Sequence, residues 1–523
     1  MVVRSRGATT PKTKVLAIGL DAAEPNLILQ WMESGDLPAL SRLRDRSVWG
    51  PTENEPGLYT GAVWPSIYTG VSAARHGLYY SHQIRTGTYR TYPVHPKDLN
   101  RPPFWDVLSD AGYRVAVIDV PHAPLSKELN GIQVADWGNH DFHFPSVACW
   151  PPELAQEITQ RFGSDEVGSC EAADRGPEEY WELRDKLIER IDRKTTLVEH
   201  FLGQGNWDLF LAVFADSHCA GHQLWHLHEA ESAQLETPGR GDPMKDVYVA
   251  LDSAVGRLLD QVDFDTTVIV FTSHGMGMVH DGNTVLDEIL SRLEGASADD
   301  THKVLYPVRS AYRQILPAGL RRRLRTMAGS VFPAVAYVDD LSTARDRKAR
   351  KCFMLPYNTN CAAIRVNLVG REPAGRVHPG AEYDAFFEAL AADLKEIVNL
   401  ETGQPIIKEV SRTADHYAGE HLSDLPDIVV RYNRDARIRR VHSAKIGEVV
   451  ANSSTTRTGE HCPRGLFFAS GPNIRPNHLN QAISGMDLAP TIAATLGFNL
   501  PDIDGEPVAA LPRNVYQETA AVT

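Results

Sequence analysis

No apolar run in the chain approaches the roughly 18 residues that a membrane span requires, and the opening residues MVVRSRGATTPKTK lead into no apolar signal core. A cytoplasmic protein without a membrane span is the resulting expectation. Cysteine is scarce. The six present, Cys149, Cys170, Cys219, Cys352, Cys361 and Cys462, are widely spaced over 523 residues and none sits in a CxxC pair, so they read as reduced and structural rather than as a disulfide framework. Positive charge is short as well: Lys+Arg 53 against Asp+Glu 67 leaves a net charge of −14, which repels a nucleic-acid backbone or an anionic membrane over most of the surface. No nucleic-acid partner is expected, and any anionic substrate has to be held by a local site. Internal repeats and low-complexity tracts are absent too.

What is present is an ordinary globular composition, 42% hydrophobic and 23% charged, long enough for two to four units at about 150 residues each. The segment KVLAIGLDAAEPNLI opens with a short apolar run ending at Asp21 and continues into a helical pattern through LILQWMESGDLPALSRL. The same unit recurs in YRVAVIDVPHAPL, in WDLFLAVFADSHCAGH and in TTVIVFTSHGMG, each an apolar run that stops at a polar cluster. Near-continuous apolar strands alternating with helices predict a parallel sheet covered on both faces. Ligands of such sheets bind beyond the carboxyl ends of the strands, where these polar clusters fall.

From about Asp300 to Cys352 the chain changes character, with LRRRLRTMAG and ARDRKARK crowding arginines into a weakly apolar stretch. It reads as a solvated helical insertion or as a lid that recruits anions. Beyond it, AAIRVNLVGREPAGRV and LPDIVVRYN read as strands with turns, and FFEALAADLKEIVN as an amphipathic helix.

The stretch FADSHCAGHQLWHLH places four histidines and one aspartate in fifteen residues. In a helix, His218, His222 and His226 would lie along one face at i, i+4 and i+8. Collected with the other strand ends, the candidate site comprises Asp21, Thr60, Asp216, His218, His222, Ser273, His274 and His461. A carboxylate, a hydroxyl and several imidazoles supply the O and N ligands that suit zinc or a similar divalent ion. A cation beside a threonine oxygen also depresses the hydroxyl pKa, which makes a nucleophile of a poor one.

The order of these motifs resembles the alkaline phosphatase superfamily, specifically its type I phosphodiesterase and nucleotide pyrophosphatase branch, over nearly the whole chain from Lys14 to Val508. The resemblance is carried by IGLDAAEPNLI with SGDLPALSRL, by TGAVWPSIYTGVSAARHG with its TG and HG pairs, and by RVNLVGREPAGRV, LPDIVVRY, EHCPRGLFFASGPNI, MDLAPTIAATLG and DGEPV. It implies an alkaline-phosphatase-like three-layer α/β/α sandwich around a large, mostly parallel sheet with a smaller cap insertion. The implied division is a tail at 1–13, a first core portion at 14–299, the arginine-rich insertion at 300–352, and a completion of the core with a small α+β portion at 353–523.

The same resemblance implies the chemistry. Counting back from Thr69, the family's Thr or Ser nucleophile falls on Thr60, and Asp21, Thr60, His218, His222, His274 and His461 match metal-ligand positions. Two positions depart from the pattern: relatives carry aspartate where this chain has His218, and read Asp-His-Gly where it has Ser273, His274 and Gly275. A three-histidine site of His218, His222 and His461 then stands beside a second site of Asp21, Thr60 and His274 in which Ser273 is a weak or absent ligand. Asp216, His280 and Asp281 are candidates to compensate, and His226 and His228 are surface or supporting residues.

The expected function is therefore a metal-dependent hydrolase of a phosphate diester or pyrophosphate, or of a phosphonate, acting on a small phosphorylated molecule through a phospho-threonine. One or two divalent ions per chain are expected, zinc first, with manganese or iron as alternatives. A transferase or mutase using the same site, and a catalytically degenerate binding protein, are the rival readings. A sulfatase does not fit, because YTGAVWP lacks the C/S-x-P-x-R context that such enzymes modify. The sequence leaves the oligomeric state open.

Overall fold

The computed structural model describes residues 14–57, 61–138, 143–144, 146–167, 175–229, 239–295, 347–356, 361–451 and 457–512. The tail 1–13, Thr60, Cys170 and nearly all of the arginine-rich insertion lie outside the described residues.

The apolar runs become the strands of a ten-stranded sheet. Its described strands include β1 (Lys14–Leu20), β2 (Val48–Glu53), β3 (Val115–Ile118), β4 (Gly131–Ala135), β5 (Ala148–Trp150), β6 (Leu209–Phe214) and β7 (Thr266–Thr272). β7, β1, β6, β3 and β4 lie side by side and run parallel, with β5 antiparallel at one edge. Successive residues of a strand face opposite ways. In β1, Leu16, Ile18 and Leu20 enter one apolar core, packed with Trp31 and Leu40, while Val15 and Ala17 enter another with Trp64, Ile67 and Ile492. Two cores on two faces of one sheet make the expected three-layer α/β/α sandwich.

The first core is covered by α1 (Pro25–Glu33), α2 (Pro38–Arg44), α4 (Pro177–Gly203), α5 (Asp216–His228) and α6 (Pro243–Leu259), the second by α3 (Val63–Thr69) and by α7 (Leu488–Thr495). After β7 the chain forms β8 (Gly275–Met278) and then a separate four-stranded antiparallel sheet. Its strands are β9 (Cys352–Met354), β10 (Cys361–Val366), β11 (Ile407–Arg412) and β12 (Ile428–Tyr432), with a core of their own. The amphipathic helix Ala381–Lys395 packs on it. The chain then returns through β13 (Gly459–Cys462) to β14 (Arg464–Ser470), which joins the main sheet antiparallel to β7. Among the described residues no cysteine forms a disulfide.

The TG and HG pairs turn out to be helix ends. Gly70 closes α3 at φ +68° and Gly77 closes the turn Ala73–His76 at φ +85°, a left-handed conformation that glycine adopts without steric cost. His76 is fully buried between them. Its Nδ1 accepts the Leu78 N–H at 3.2 Å, so the ring proton sits on Nε2, 3.0 Å from the Ser66 hydroxyl. Burial holds the His76 pKa down at about 3, against an ordinary 6.5. A histidine depressed in the folded state contributes stability that is intact above its unfolded value and lost as pH falls below it. Between pH 6.5 and 5 the wild type is expected to lose about 1.7 kcal/mol in all relative to His76→Gln, the slope approaching about 1.4 kcal/mol per unit at the acid end. Urea unfolding of both proteins across that range reads the difference, and parallel profiles would refute it.

Candidate metal centre

Three adjacent parallel strands end together at the site. Leu20 of β1 lies opposite Thr272 of β7 and Phe214 of β6, so the next residues of each, Asp21, Ser273 with His274, and the start of α5, share one edge. β14 runs the other way, which brings its beginning to the same edge. Just before it, β13 pairs antiparallel with β8, setting His461 opposite Met276. The ribbon lays His461 against the histidine face of α5.

On α5, Arg190 of α4 donates from Nε to Asp216 Oδ1 at 2.7 Å, and both residues are buried. Ser217 donates to the Asp21 carbonyl at 2.7 Å. These bonds fix the first turn, and His218 and His222 follow on one face with ring centroids 4.6 Å apart. The His461 ring stands 4.7 Å from His218 and 4.6 Å from His222. Each of the three offers one ring nitrogen within 4.8 Å of the others, and all three are buried.

The hydrogen bonds decide which nitrogen that is. His222 donates from Nδ1 to the Gly459 carbonyl at 2.8 Å, which leaves the lone pair on Nε2 because a carbonyl only accepts. His218 Nδ1 lies 2.7 Å from Asp21 Oδ2, a carboxylate–imidazole pair of the kind that orients and strengthens a metal-bound histidine. The opposite nitrogen of His218 faces His461 Nε2 at 3.0 Å. Two lone pairs at that separation repel unless a proton or a cation lies between them. Burial, then the neighbouring rings of His274, His222 and His218, push the His461 pKa well below 6.5, which keeps the ring neutral and able to ligate. The donor set fits a divalent ion that accepts imidazole nitrogen.

Asp21 is engaged at both oxygens. Besides His218 on Oδ2, its Oδ1 accepts the Trp64 indole N–H at 2.8 Å and the Ser273 hydroxyl at 2.7 Å. Having donated its one proton, Ser273 Oγ accepts from the Ala22 N–H at 3.0 Å and lies 3.0 Å from His274 Nδ1. His274 thus presents Nε2 toward the cluster, its ring 4.4 Å from His461. Thr60 is outside the described residues, but its flanks are tied here: Asn54 donates from Nδ2 to the Ser273 carbonyl at 2.7 Å, and Trp64 donates to Asp21.

The three candidate compensating groups lie elsewhere in the bonding pattern. Asp216 is spent on Arg190; burial pushes its carboxyl pKa up, and the guanidinium opposes that rise. His280 Nδ1 accepts the Gly282 N–H, and its ring packs on Tyr432 at 5.0 Å. Asp281 faces Arg437 at 3.6 Å. His226 packs against Tyr180 at 4.7 Å, and His228 pairs with Asp242 at 2.7 Å. Sequence reasoning missed Trp64 as a hydrogen-bond donor and the Gly459 carbonyl as the acceptor that sets the His222 tautomer. Trp64 stood inside a quoted motif, whereas a backbone carbonyl leaves no trace in composition.

A family model described as type I phosphodiesterase / nucleotide pyrophosphatase matches residues 15–445. Among solved structures, the fold is shared with phosphonoacetate hydrolase from Sinorhizobium meliloti, determined in complex with phosphonoformate and with phosphonoacetate. That enzyme is 13% identical, the match covers 92% of this chain and 94% of that one, and the TM-score is 0.52. Murine ectonucleotide pyrophosphatase / phosphodiesterase 5, in complex with AMP, is 13% identical over 96% of this chain and 97% of its own, with a TM-score of 0.49. No curated protein matches the chain in sequence. The chain belongs to the type I phosphodiesterase / nucleotide pyrophosphatase family, and so to the phosphoric ester hydrolases.

Proposed function

We propose that the chain is a metal-dependent hydrolase of a phosphate diester, a pyrophosphate or a phosphonate, with Thr60 as nucleophile. The observation that carries this reading is the cluster of three buried imidazoles, His218, His222 and His461, gathered from distant parts of the chain at the carboxyl edge of a parallel sheet. His218, His222 and His461 would hold one divalent ion, zinc being the best fit to an all-nitrogen donor set. When bound, such an ion supplies positive charge that lowers the pKa of a neighbouring hydroxyl and offsets charge on the phosphoryl group.

The chain's own residues do the rest. Thr60 Oγ gives up its proton to solvent and forms a bond to phosphorus as the P–O bond of an ester or pyrophosphate, or the P–C bond of a phosphonate, breaks; the leaving group departs with the electron pair and takes up a proton from solvent, giving a phospho-threonine. Water then attacks phosphorus, and the Thr60 oxygen is released. Asp21 orients His218, while Trp64 and Ser273 hold Asp21. Because both Asp21 oxygens are already engaged, a second ion drawing on Asp21, Thr60 and His274 would be held more weakly than the first.

Dialysed protein is expected to retain about one equivalent of zinc per chain by elemental analysis, with a second equivalent bound at least about tenfold more loosely. Chelation should abolish hydrolysis of bis(4-nitrophenyl) phosphate, and added zinc should restore it. Ser273→Asp, which adds a carboxylate beside the weaker donors, should tighten the second equivalent. Protein that retains no metal and hydrolyses no phosphate or phosphonate ester would sink the reading.

A further inference from the structure

The ribbon that carries His461 has two faces with unlike neighbours. Met276 of β8 and His461 of β13 are paired, so their side chains share one face, the one that lies on α5. Met276 packs so closely on that helix that a Cβ added to Gly221 would meet Met276 Cε at 2.5 Å. Gly275 and Gly277 belong to the opposite face. A Cβ on Gly275 would meet Glu24 Oε2 at 2.5 Å, and one on Gly277 would meet Cys462 Sγ at 3.1 Å and Arg434 Nη2 at 3.4 Å. The two glycines leave room for two charged side chains.

A two-stranded ribbon leaves backbone groups pointing away from its ladder, and inside a protein these need partners. Here side chains supply them. Glu24 Oε2 accepts the Met276 N–H at 2.9 Å, and Glu460 Oε1 accepts the N–H of His461 at 3.1 Å, both carboxylates being buried. Arg434 stands two residues beyond β12, in the unit built on the separate four-stranded sheet. It donates to the His461 carbonyl, to the Glu460 carbonyl at 3.2 Å and to the Met278 carbonyl at 3.3 Å. One guanidinium therefore spans both strands, through bonds that its charge strengthens. Burial raises the Glu24 pKa, and the Arg434 charge opposes that rise, so the two side chains attract each other across the ribbon.

We propose that Arg434 is a positioning residue for the metal centre, holding the ribbon on α5 so that His461 meets His218 and His222, with Glu24 as its counterpart on β8. This rests on the reading of the three histidines as ligands of one ion. Both backbone groups of His461 are gripped, its N–H by Glu460 and its carbonyl by Arg434, so a slip of the ribbon carries the ring with it. Metal–ligand distances hold within about 0.2 Å. The small antiparallel sheet thereby sets how tightly the main sheet's site binds its ion.

Arg434→Met keeps the apolar stem and removes every donor. Its zinc affinity, measured on the full-length protein against a competing chelator, is expected to fall about tenfold or more. The visible absorption of the cobalt(II)-loaded variant at saturating metal should also shift, because it reports ligand geometry. Arg434→Lys keeps the charge but not the planar fork, and should recover part of the affinity. Glu24→Leu should act in the same direction as Arg434→Met. Arg371→Met is the control for a merely structural role, since Arg371 bonds to Glu372, Asp427 and the Val366 carbonyl within the same small unit. It should lower the melting temperature, yet leave the cobalt spectrum unchanged and zinc affinity within about twofold of wild type.

Wild-type affinity and spectrum in Arg434→Met, or equal losses in Arg371→Met, overturn the positioning role and leave the metal centre standing. Should Arg434→Met not fold, Arg434→Lys decides: an affinity and a spectrum matching wild type overturn the role. A wild type that binds neither zinc nor cobalt overturns the metal centre and the role together.

Discussion

Thr60→Ala is expected to lower kcat for a chromogenic diester by about a thousandfold or more while leaving the protein folded and metal-loaded. The size of the effect comes from losing the covalent route entirely, since a nucleophile that acts in concert with its site cannot be replaced piecemeal. Folding should survive because the anchors of this segment are other residues: Asn54 on the Ser273 and Pro463 carbonyls at 2.7 and 2.9 Å, and Trp64 on Asp21. Thr60→Ser keeps the hydroxyl and should retain a measurable fraction of the rate. Circular dichroism and elemental analysis distinguish a dead nucleophile from a misfolded chain. Near wild-type turnover by Thr60→Ala would remove Thr60 from the mechanism.

His461→Ala should cut metal affinity by about a hundredfold or more and remove activity in step with it. Loss of one of three imidazoles leaves His218 and His222 as a two-point site, and changes even in supporting residues around a metal cost about 10- to 100-fold. His461 also faces His218 at 3.0 Å and packs on His274, so its loss takes away the group that closes the cluster from the ribbon side. Zinc titration against a competing chelator measures the affinity, and the activity recovered at saturating zinc measures what remains of the geometry. Unchanged metal content in His461→Ala would mean that the ion is held elsewhere.

The parallel sheet was legible because each strand is a continuous apolar run that stops at a polar residue, and the structure turns KVLAIGL, LFLAVF and TTVIVFT into β1, β6 and β7 side by side. The histidine face of α5 was legible from spacing alone, as the helix Asp216–His228 puts His218 and His222 one turn apart. His461 could be collected from the sequence only as a histidine in a polar cluster, and its place beside His218 and His222 came through family resemblance. What brings it to α5 is the pairing of β8 with β13, and the choice of partner strand leaves no periodic signal in either segment. Asp216 shows the same limit from the other side: nothing around it in sequence announces Arg190 as its partner, because that contact spans two helices packed through tertiary structure.

The lock between α5 and the ribbon carries a consequence for how the protein is made. His222 donates to the Gly459 carbonyl, and Thr458 N–H donates back to the His222 carbonyl at 2.7 Å, so helix and ribbon close on each other only once both are in place. His218 and His461 are 243 residues apart in the chain. A nascent chain that has emerged as far as α5 holds two of the three imidazoles, and captures an ion poorly until β13 arrives and pairs. Metal capture would thus be a late event that waits on a contact between residues 243 apart in the chain, and a contact of such high sequence separation forms slowly. Once seated, an ion would act as a cross-link across that span, opposing the opening of a long loop whose closure has already been accomplished. The same clasp that delays loading would then slow release, and the loaded protein would hold its ion on the timescale of its own unfolding.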